Sequence, residues 1–288
     1  IPTLNDVRKV AACVESCRQC AGPATTLQFI VVDDGTRDPA ILAELRELAE
    51  RMDFELLLNH QNLGFSATAN HGMRHARGRF ILLCNNDIVF FQPWVQPLEQ
   101  AFAADPQVGV LGARLLYPDG KLQHAGMHKI PRELQWVHSY GGEAGDHPQA
   151  VTNRYVWAVT GAIFALKRET VQRLGGLSTA YAMAHEDVDY CLRAWANGVR
   201  VMCCGECVAY HEEGGTRGAT ADEKRSRPLL WAERDKAGHL FFNTKWASVR
   251  YLENFWLLQS AAREGQTPAK RQTTAGREEF AKAGVTGN

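Results

Sequence analysis

Short apolar runs alternate with longer amphipathic stretches from Ile1 to about Phe91. "DVRKVAACVESCRQC" sets Val7, Val10, Val14 and Cys17 on one helical stripe. "LQFIVVDD" (27–34) reads as a strand that ends in two acids. "PAILAELRELAERM" (39–52) is an amphipathic helix opened by Asp38 and Pro39. "FELLLN" (54–59) is the next strand, "FSATANHGMRHARG" (65–78) a helix closed by Gly78, and "RFILLCNND" (79–87) a fourth strand. This rhythm predicts an α/β fold, a mostly parallel sheet with helices on both faces. Ligands of such sheets bind beyond the carboxyl ends of the strands. Three polar clusters fall there: Thr3 with Asn5, Asp33 with Asp34, and Asn85 with Asn86 and Asp87.

The second half is less regular. Residues 108–127 read as two strands around the turn Pro118-Asp119-Gly120. Residues 128–153 read as a polar loop, 155–169 as an apolar strand, and 184–198 as a helix stopped by Gly198. Short strands at 199–204 and 207–215 follow. Residues 227–262 form one or two helices rich in aromatics, with a polar tail at 264–288. Those helices could pack on the main domain, pair two chains or lie on a membrane surface. Their modest basic content makes packing the default.

Composition narrows the function. Lys+Arg and Asp+Glu both count 32, so the basic footprint of a nucleic-acid protein is missing. No apolar run approaches the roughly 18 residues of a membrane span. No signal peptide is visible. The chain opens at Ile1 inside an apolar strand, which predicts a segment of a longer, multidomain protein. Eight cysteines include Cys13, Cys17 and Cys20 at C-x3-C-x2-C, and Cys204 and Cys207 at C-x-x-C. The first spacing also occurs in radical S-adenosylmethionine enzymes, but Gln19 stands where those carry an aromatic, and the stretch is helical. No second pair has zinc-finger spacing, so reduced thiols of a cytoplasmic protein are expected.

The candidate chemistry is acidic. A buried carboxylate without a partner costs several kcal/mol or more, so Asp87, set between two apolar runs, lies either in a surface turn or against a cation. Glu186, Asp187 and Asp189 occupy the first turn of a helix, where acids also favour the macrodipole by about 0.3–1 kcal/mol. His185 precedes them. His211 could ligate a divalent metal, and Arg217, between glycines, could approach a phosphate. Gly64 precedes a helix, but neither a P-loop nor a G-x-G-x-x-G fingerprint is present.

Taken in order, "IPTLND", "VVDDGTRD", "NLGFSATAN", "NND", "VTGA", "HEDVDYCLRAWANG" and "YHEEGGTRG" resemble family 2 glycosyltransferases of the GT-A fold. The subgroup resembled is that of bacterial rhamnosyltransferases and other O-antigen or capsule sugar transferases. The resemblance covers about residues 1–220. It implies a catalytic domain there, with a nucleotide-sugar-binding half (1–110) and an acceptor half (111–220), then a helical extension (221–263) and a tail (264–288). It implies that Asp87 holds Mg²⁺ or Mn²⁺ on the diphosphate, with His211 near the metal. Asn85 stands where the family's first Asp usually is. Pro2, Thr3, Asn5, Asp33, Asp34, Asn62, Gly64 and Asn86 fall on the nucleotide side. Gly161, His185 and Arg217 fall near the sugar or diphosphate. Asp187 is the implied base of an inverting transfer, with Glu186 as second choice. The implied partners are a nucleotide-sugar (dTDP-rhamnose or a UDP-sugar) and a free or lipid-linked glycan, with peripheral contact at the inner face of the membrane. A nucleotidyltransferase, or a non-catalytic carbohydrate-binding or scaffold domain, is the alternative.

Overall fold

A computed structural model describes residues 1–129, 136–181, 184–212 and 229–246. Strands β1 (Pro2–Thr3), β2 (Ile30–Asp33) and β3 (Glu55–Leu58) form a parallel sheet in that order. Helix α1 (Val7–Gln19) joins the first two strands, and α2 (Pro39–Met52) joins β2 to β3. Each helix starts at an aspartate whose side chain accepts a main-chain N–H, Asp6 from Lys9 and Asp38 from Ala40. Pro39 occupies the first turn of α2, where its missing N–H costs nothing. Helix α3 (Phe65–His75) then leads into the second sheet.

The second sheet is mixed. Its strands are β4 (Phe80–Cys84), β5 (Ile88–Phe90), β6 (Val108–Leu116) and β7 (Leu122–His124), followed after a separate hairpin, β8 (Met127–Lys129) with β9 (Trp136–His138), by β10 (Arg154–Tyr155), β11 (Ile163–Lys167) and β12 (Arg200–His211). The main path runs β10-β12-β6-β11-β4; β12 and β6 are parallel, and the other pairings are antiparallel. Helices α4 (Val95–Ala104), α5 (Arg168–Leu174), α6 (Glu186–Ala196) and α7 (Leu229–Trp246) complete the described elements.

The period of two along these strands divides the core. Ile81, Leu83, Val110, Phe164, Leu166, Val201 and Cys203 point to one face, packed with residues of α3, α6 and α7. Cys84, Leu111, Ala113, Ile163, Ala165, Met202 and Cys204 point to the other, with residues of α1 and α4. Helices therefore cover both faces, as the apolar runs predict.

Four segments differ from the sequence reading. The fourth strand stops at Cys84, because Asn85 N–H donates to Ala162 and the chain turns before β5 pairs with β12. The expected loop at 128–153 contains the β8–β9 hairpin. The apolar stretch at 155–169 is broken into the end of β10, an irregular segment, β11 and the start of α5. The two expected strands at 199–215 are one, β12, whose register shifts between Cys204 and Val208. Gly205 makes that bulge possible, since a Cβ there would overlap the Val151 backbone. Among the described residues no helix is long and apolar enough to cross a membrane.

Candidate functional site

The carboxyl ends of β1, β2 and β4 meet at one edge. Thr3 is register-paired with Asp33, and Asn86 Nδ2 donates to Thr3 Oγ1 at 3.0 Å. Pro2 sits beside Val32 in β1. Asn5 holds a left-handed φ of 55° and donates its N–H to Thr36 Oγ1. Asp33 and Asp34 are both buried and build the rim of this edge. Asp33 accepts from the N–H groups of Gly35 and Thr36 and from Thr36 Oγ1 at 2.5 Å. Asp34 accepts four hydrogen bonds, from Asn59 Nδ2, Leu63 N–H, Gly64 N–H and Thr68 Oγ1, at 2.7–3.0 Å. It thereby anchors the segment that carries exposed Asn62 and the start of α3. Gly64 has φ of 85° and admits the turn into α3.

The turn after β4 faces β12. Antiparallel pairing of β5 with β12 puts His211 opposite Ile88, and Glu212 N–H donates to the Asp87 carbonyl at 3.1 Å. His211 Nε2 lies 3.2 Å from Asp87 Oδ1. That oxygen and Asn85 Oδ1 are buried and make no hydrogen bond among the described residues. The Asp87–His211 contact is thus a close approach without hydrogen-bond geometry. A buried carboxylate oxygen 3.2 Å from an imidazole nitrogen, with an unbonded amide oxygen two residues earlier in the same turn, has the donor chemistry of a divalent-cation site.

The chain at 160–162 connects this turn to α6. Asn85 N–H donates to the Ala162 carbonyl, and Gly161 N–H donates to Asp187 Oδ2, both at 2.9 Å. Asp187 Oδ1 accepts the N–H of Val188 at 2.7 Å. A Cβ on Gly161 would meet Phe65 and Asp187 at ordinary van der Waals distance. Glu186 is buried beside Asp187. His185 has φ of 77°; its ring stacks on Phe242 at 4.8 Å and its Nε2 lies 3.0 Å from His239 Nδ1. Arg217 lies outside the described residues.

Three groups near the site carry weight that the sequence does not announce. Asp189, read as one more first-turn acid, has no exposed surface and meets Arg193, Lys245, Tyr181 and Trp246 within 3.1 Å. Two of those partners belong to α7, so the aromatic helix packs on α6. The second is Gln123 on β7, in contact with His211. The third is His124, fully buried. Burial, and behind it His138, His211 and Arg154, hold its imidazole well below the usual range. Between that lowered value and about 6.5 the unfolded chain binds the extra proton, so stability is full above that pH and falls on acidification, by up to about 1.4 kcal/mol per pH unit. Urea denaturation between pH 7.5 and 5.5 should show this loss, and His124→Gln should flatten the slope.

The cysteines group otherwise than by spacing. The sulfurs of Cys13, Cys17 and Cys84 lie within 4.8 Å of one another, while Cys20 stands apart and donates to the Phe90 carbonyl. Cys13 and Cys84 both donate to the Asn85 carbonyl. All eight cysteines are free, and burial pushes the Cys203 thiol up to about 12 and raises Cys207 well above the usual range. Seven of the eight are buried in the core, and Cys20 is partly exposed.

The description "Glycosyl transferase family 2" matches residues 1–174. The uncharacterized protein y4gI of Sinorhizobium fredii is 32% identical over 240 residues, 79% of this chain and 26% of that protein. The O-antigen biosynthesis protein RfbC of Myxococcus xanthus is 29% identical over 199 residues, 67% of this chain and 16% of that protein. The chain therefore spans about a quarter or less of these relatives. Among solved structures, GalNAc-T7 with UDP, GalNAc and Mn²⁺ superposes with a TM-score of 0.67 at 13% identity, covering 98% of this chain and 53% of that one. Staphylococcus aureus TarS superposes at 0.53 with 14% identity, over 98% and 46% of the two chains. These likenesses establish the GT-A fold.

Proposed function

The chain belongs to glycosyltransferase family 2, and on that premise we propose that it is a metal-dependent inverting transferase. It moves a sugar from a nucleoside diphosphate donor to a glycan hydroxyl. The observation that carries this reading is the pair of buried oxygens in one turn, Asp87 Oδ1 and Asn85 Oδ1, left without hydrogen bonds, the first of them 3.2 Å from His211 Nε2. These residues would hold Mg²⁺ or Mn²⁺, which supplies electrostatic stabilisation of the charge that grows on the departing diphosphate. GalNAc-T7, solved with Mn²⁺, lends support for the metal.

The protein's own groups do the rest. Asp187 is fixed by the Gly161 and Val188 N–H groups, and each of its oxygens keeps a lone pair. One oxygen takes the acceptor hydroxyl proton as that hydroxyl bonds to the anomeric carbon. The bond from that carbon to the diphosphate oxygen breaks, and its electron pair leaves with the nucleoside diphosphate. Inversion follows from single displacement. Glu186, buried alongside, is the second choice of base. Thr3, Asn5, Asn86 and Asp33 line the nucleotide end, with Pro2 and Asn62 at its margins. Asp34 already accepts about as many hydrogen bonds as a carboxylate can, so we assign it to holding the loop of Gly64 rather than to reading the base. Gly161 lies near the donor sugar, and His185 and Arg217 complete the assignment on the sugar and diphosphate side. The O-antigen relative supports a surface-polysaccharide acceptor. A dTDP-rhamnose or UDP-sugar donor would be met in the cytoplasm, and a lipid-linked acceptor would bring the reaction to the inner face of the membrane.

The test is donor hydrolysis. With Mn²⁺ or Mg²⁺ and a panel of nucleotide-sugars, slow metal-dependent release of nucleoside diphosphate should come from one donor. Asp87→Ala should lower that release by about 10²–10³-fold, the usual cost of removing a charge-stabilising group. No release, together with no nucleotide binding by calorimetry, would transfer the fold to a carbohydrate-binding or scaffold role.

A further inference from the structure

The β6–β7 pairing skips a residue. Leu115 pairs with His124 and Leu116 with Leu122, so Gln123 is the extra residue of a bulge. Bulges beside functional sites re-aim a side chain. This one sends Gln123, buried to 4% exposure, toward the end of β12. Gln123 Oε1 lies 2.6 Å from His211 Nδ1, and Gln123 Nε2 lies 3.4 Å from the main-chain oxygen of His211.

These two contacts determine where a proton sits. A main-chain oxygen can only accept, so the NH₂ half of the amide must face it. Oε1 then faces Nδ1, and because Oε1 can only accept, Nδ1 must carry the hydrogen. In a neutral imidazole that leaves the lone pair on Nε2, the nitrogen 3.2 Å from Asp87 Oδ1. Two electron-pair donors facing each other at that distance, neither bonded to the other, are stabilised by a cation between them. We propose that Gln123 is a positioning residue: it locks His211 in the Nδ1–H tautomer, so that Nε2 is presented with Asp87 to a divalent cation. The inference rests on the cation reading of Asp87 and His211. It adds a residue that belongs to none of the sequence motifs and reaches the site from across β6.

The experiment has two readouts. The first needs no metal. Histidine ¹⁵N shifts of the metal-free full chain at pH 8, with His211 assigned through His211→Asn, should show the Nδ1–H tautomer. A partner-free imidazole in water prefers Nε2–H, and finding that form overturns the proposal. The second is Mn²⁺ affinity by calorimetry. Gln123→Met, close in volume but unable to accept, should weaken binding about 10–100-fold, as loss of a ligand's hydrogen-bond partner does. Gln123→Glu, which keeps the acceptor, should recover most of that loss. Equal binding by wild type and Gln123→Met, or equal loss in both variants, overturns the role of Gln123 and leaves the cation reading standing. If the wild-type chain binds no Mn²⁺, the cation reading itself falls, and the inference with it.

Discussion

Asp187→Asn should slow sugar transfer by about 10²–10⁴-fold, the range a positioned general base contributes. The substitution keeps the size and shape of the side chain. One amide oxygen can still accept from Gly161 or Val188, but the NH₂ group must then face the other N–H. That clash of donors should cost about 1–3 kcal/mol of stability, too little to unfold an ordinary domain. Nucleotide binding by calorimetry should therefore survive while kcat collapses. A fall in kcat of less than tenfold would remove Asp187 from the base role, and the same measurement on Glu186→Gln would then decide whether its neighbour holds it.

The largest effect on stability is expected from Asp189→Ala, about 3–5 kcal/mol, because one partner of a buried ion pair is removed and the other stays. Asp189 is fully buried, and the Arg193 and Lys245 side chains are 5% and 23% exposed. Tyr181 and Trp246 lose their acceptor at the same time. Arg193 also donates to the carbonyls of Leu174 and Gly176, so its charge would remain in place with its carboxylate gone. Urea denaturation gives the number. A loss below about 1 kcal/mol would mean that the cations find water, as exposed pairs do. The double variant Asp189→Leu/Arg193→Leu should recover part of the loss, since well-packed apolar pairs often replace buried ion pairs without penalty.

These two aspartates mark how far the sequence can be read. Helix starts were legible where a capping side chain and a proline coincide: α2 runs Pro39–Met52, as its pattern predicts. Continuous apolar runs marked the strands, because two cores bury both faces of the second sheet. Spacing could also bring Asp87, His211 and Asp187 together as candidates, through the order of their motifs. Spacing alone could not distinguish Asp187 from Asp189; only the family resemblance preferred the first. Both are acids in the first turn of α6, and what makes Asp189 a buried hub while Asp187 stays partly exposed lies in α7, more than fifty residues away in the chain. Gln123 was invisible for a similar reason. Its aim comes from a bulge, a register slip that has no composition of its own. The bulge in β12 likewise looked like a gap between two strands, since Gly205 signals a turn as readily as a close approach.

The docking of α7 bears on how this protein can be handled in pieces. The sequence motifs end by about residue 220, which invites a truncation there for expression or crystallisation. Such a truncation would strip His185 of its stacking partner Phe242 and leave Trp195 and Tyr181 on a core that had lost Trp246. Asp189 would keep Arg193 but lose Lys245 and an indole donor. The smallest stable folded unit is therefore expected to include Trp246, and a library of shortened chains should show soluble yield dropping as the cut crosses that residue.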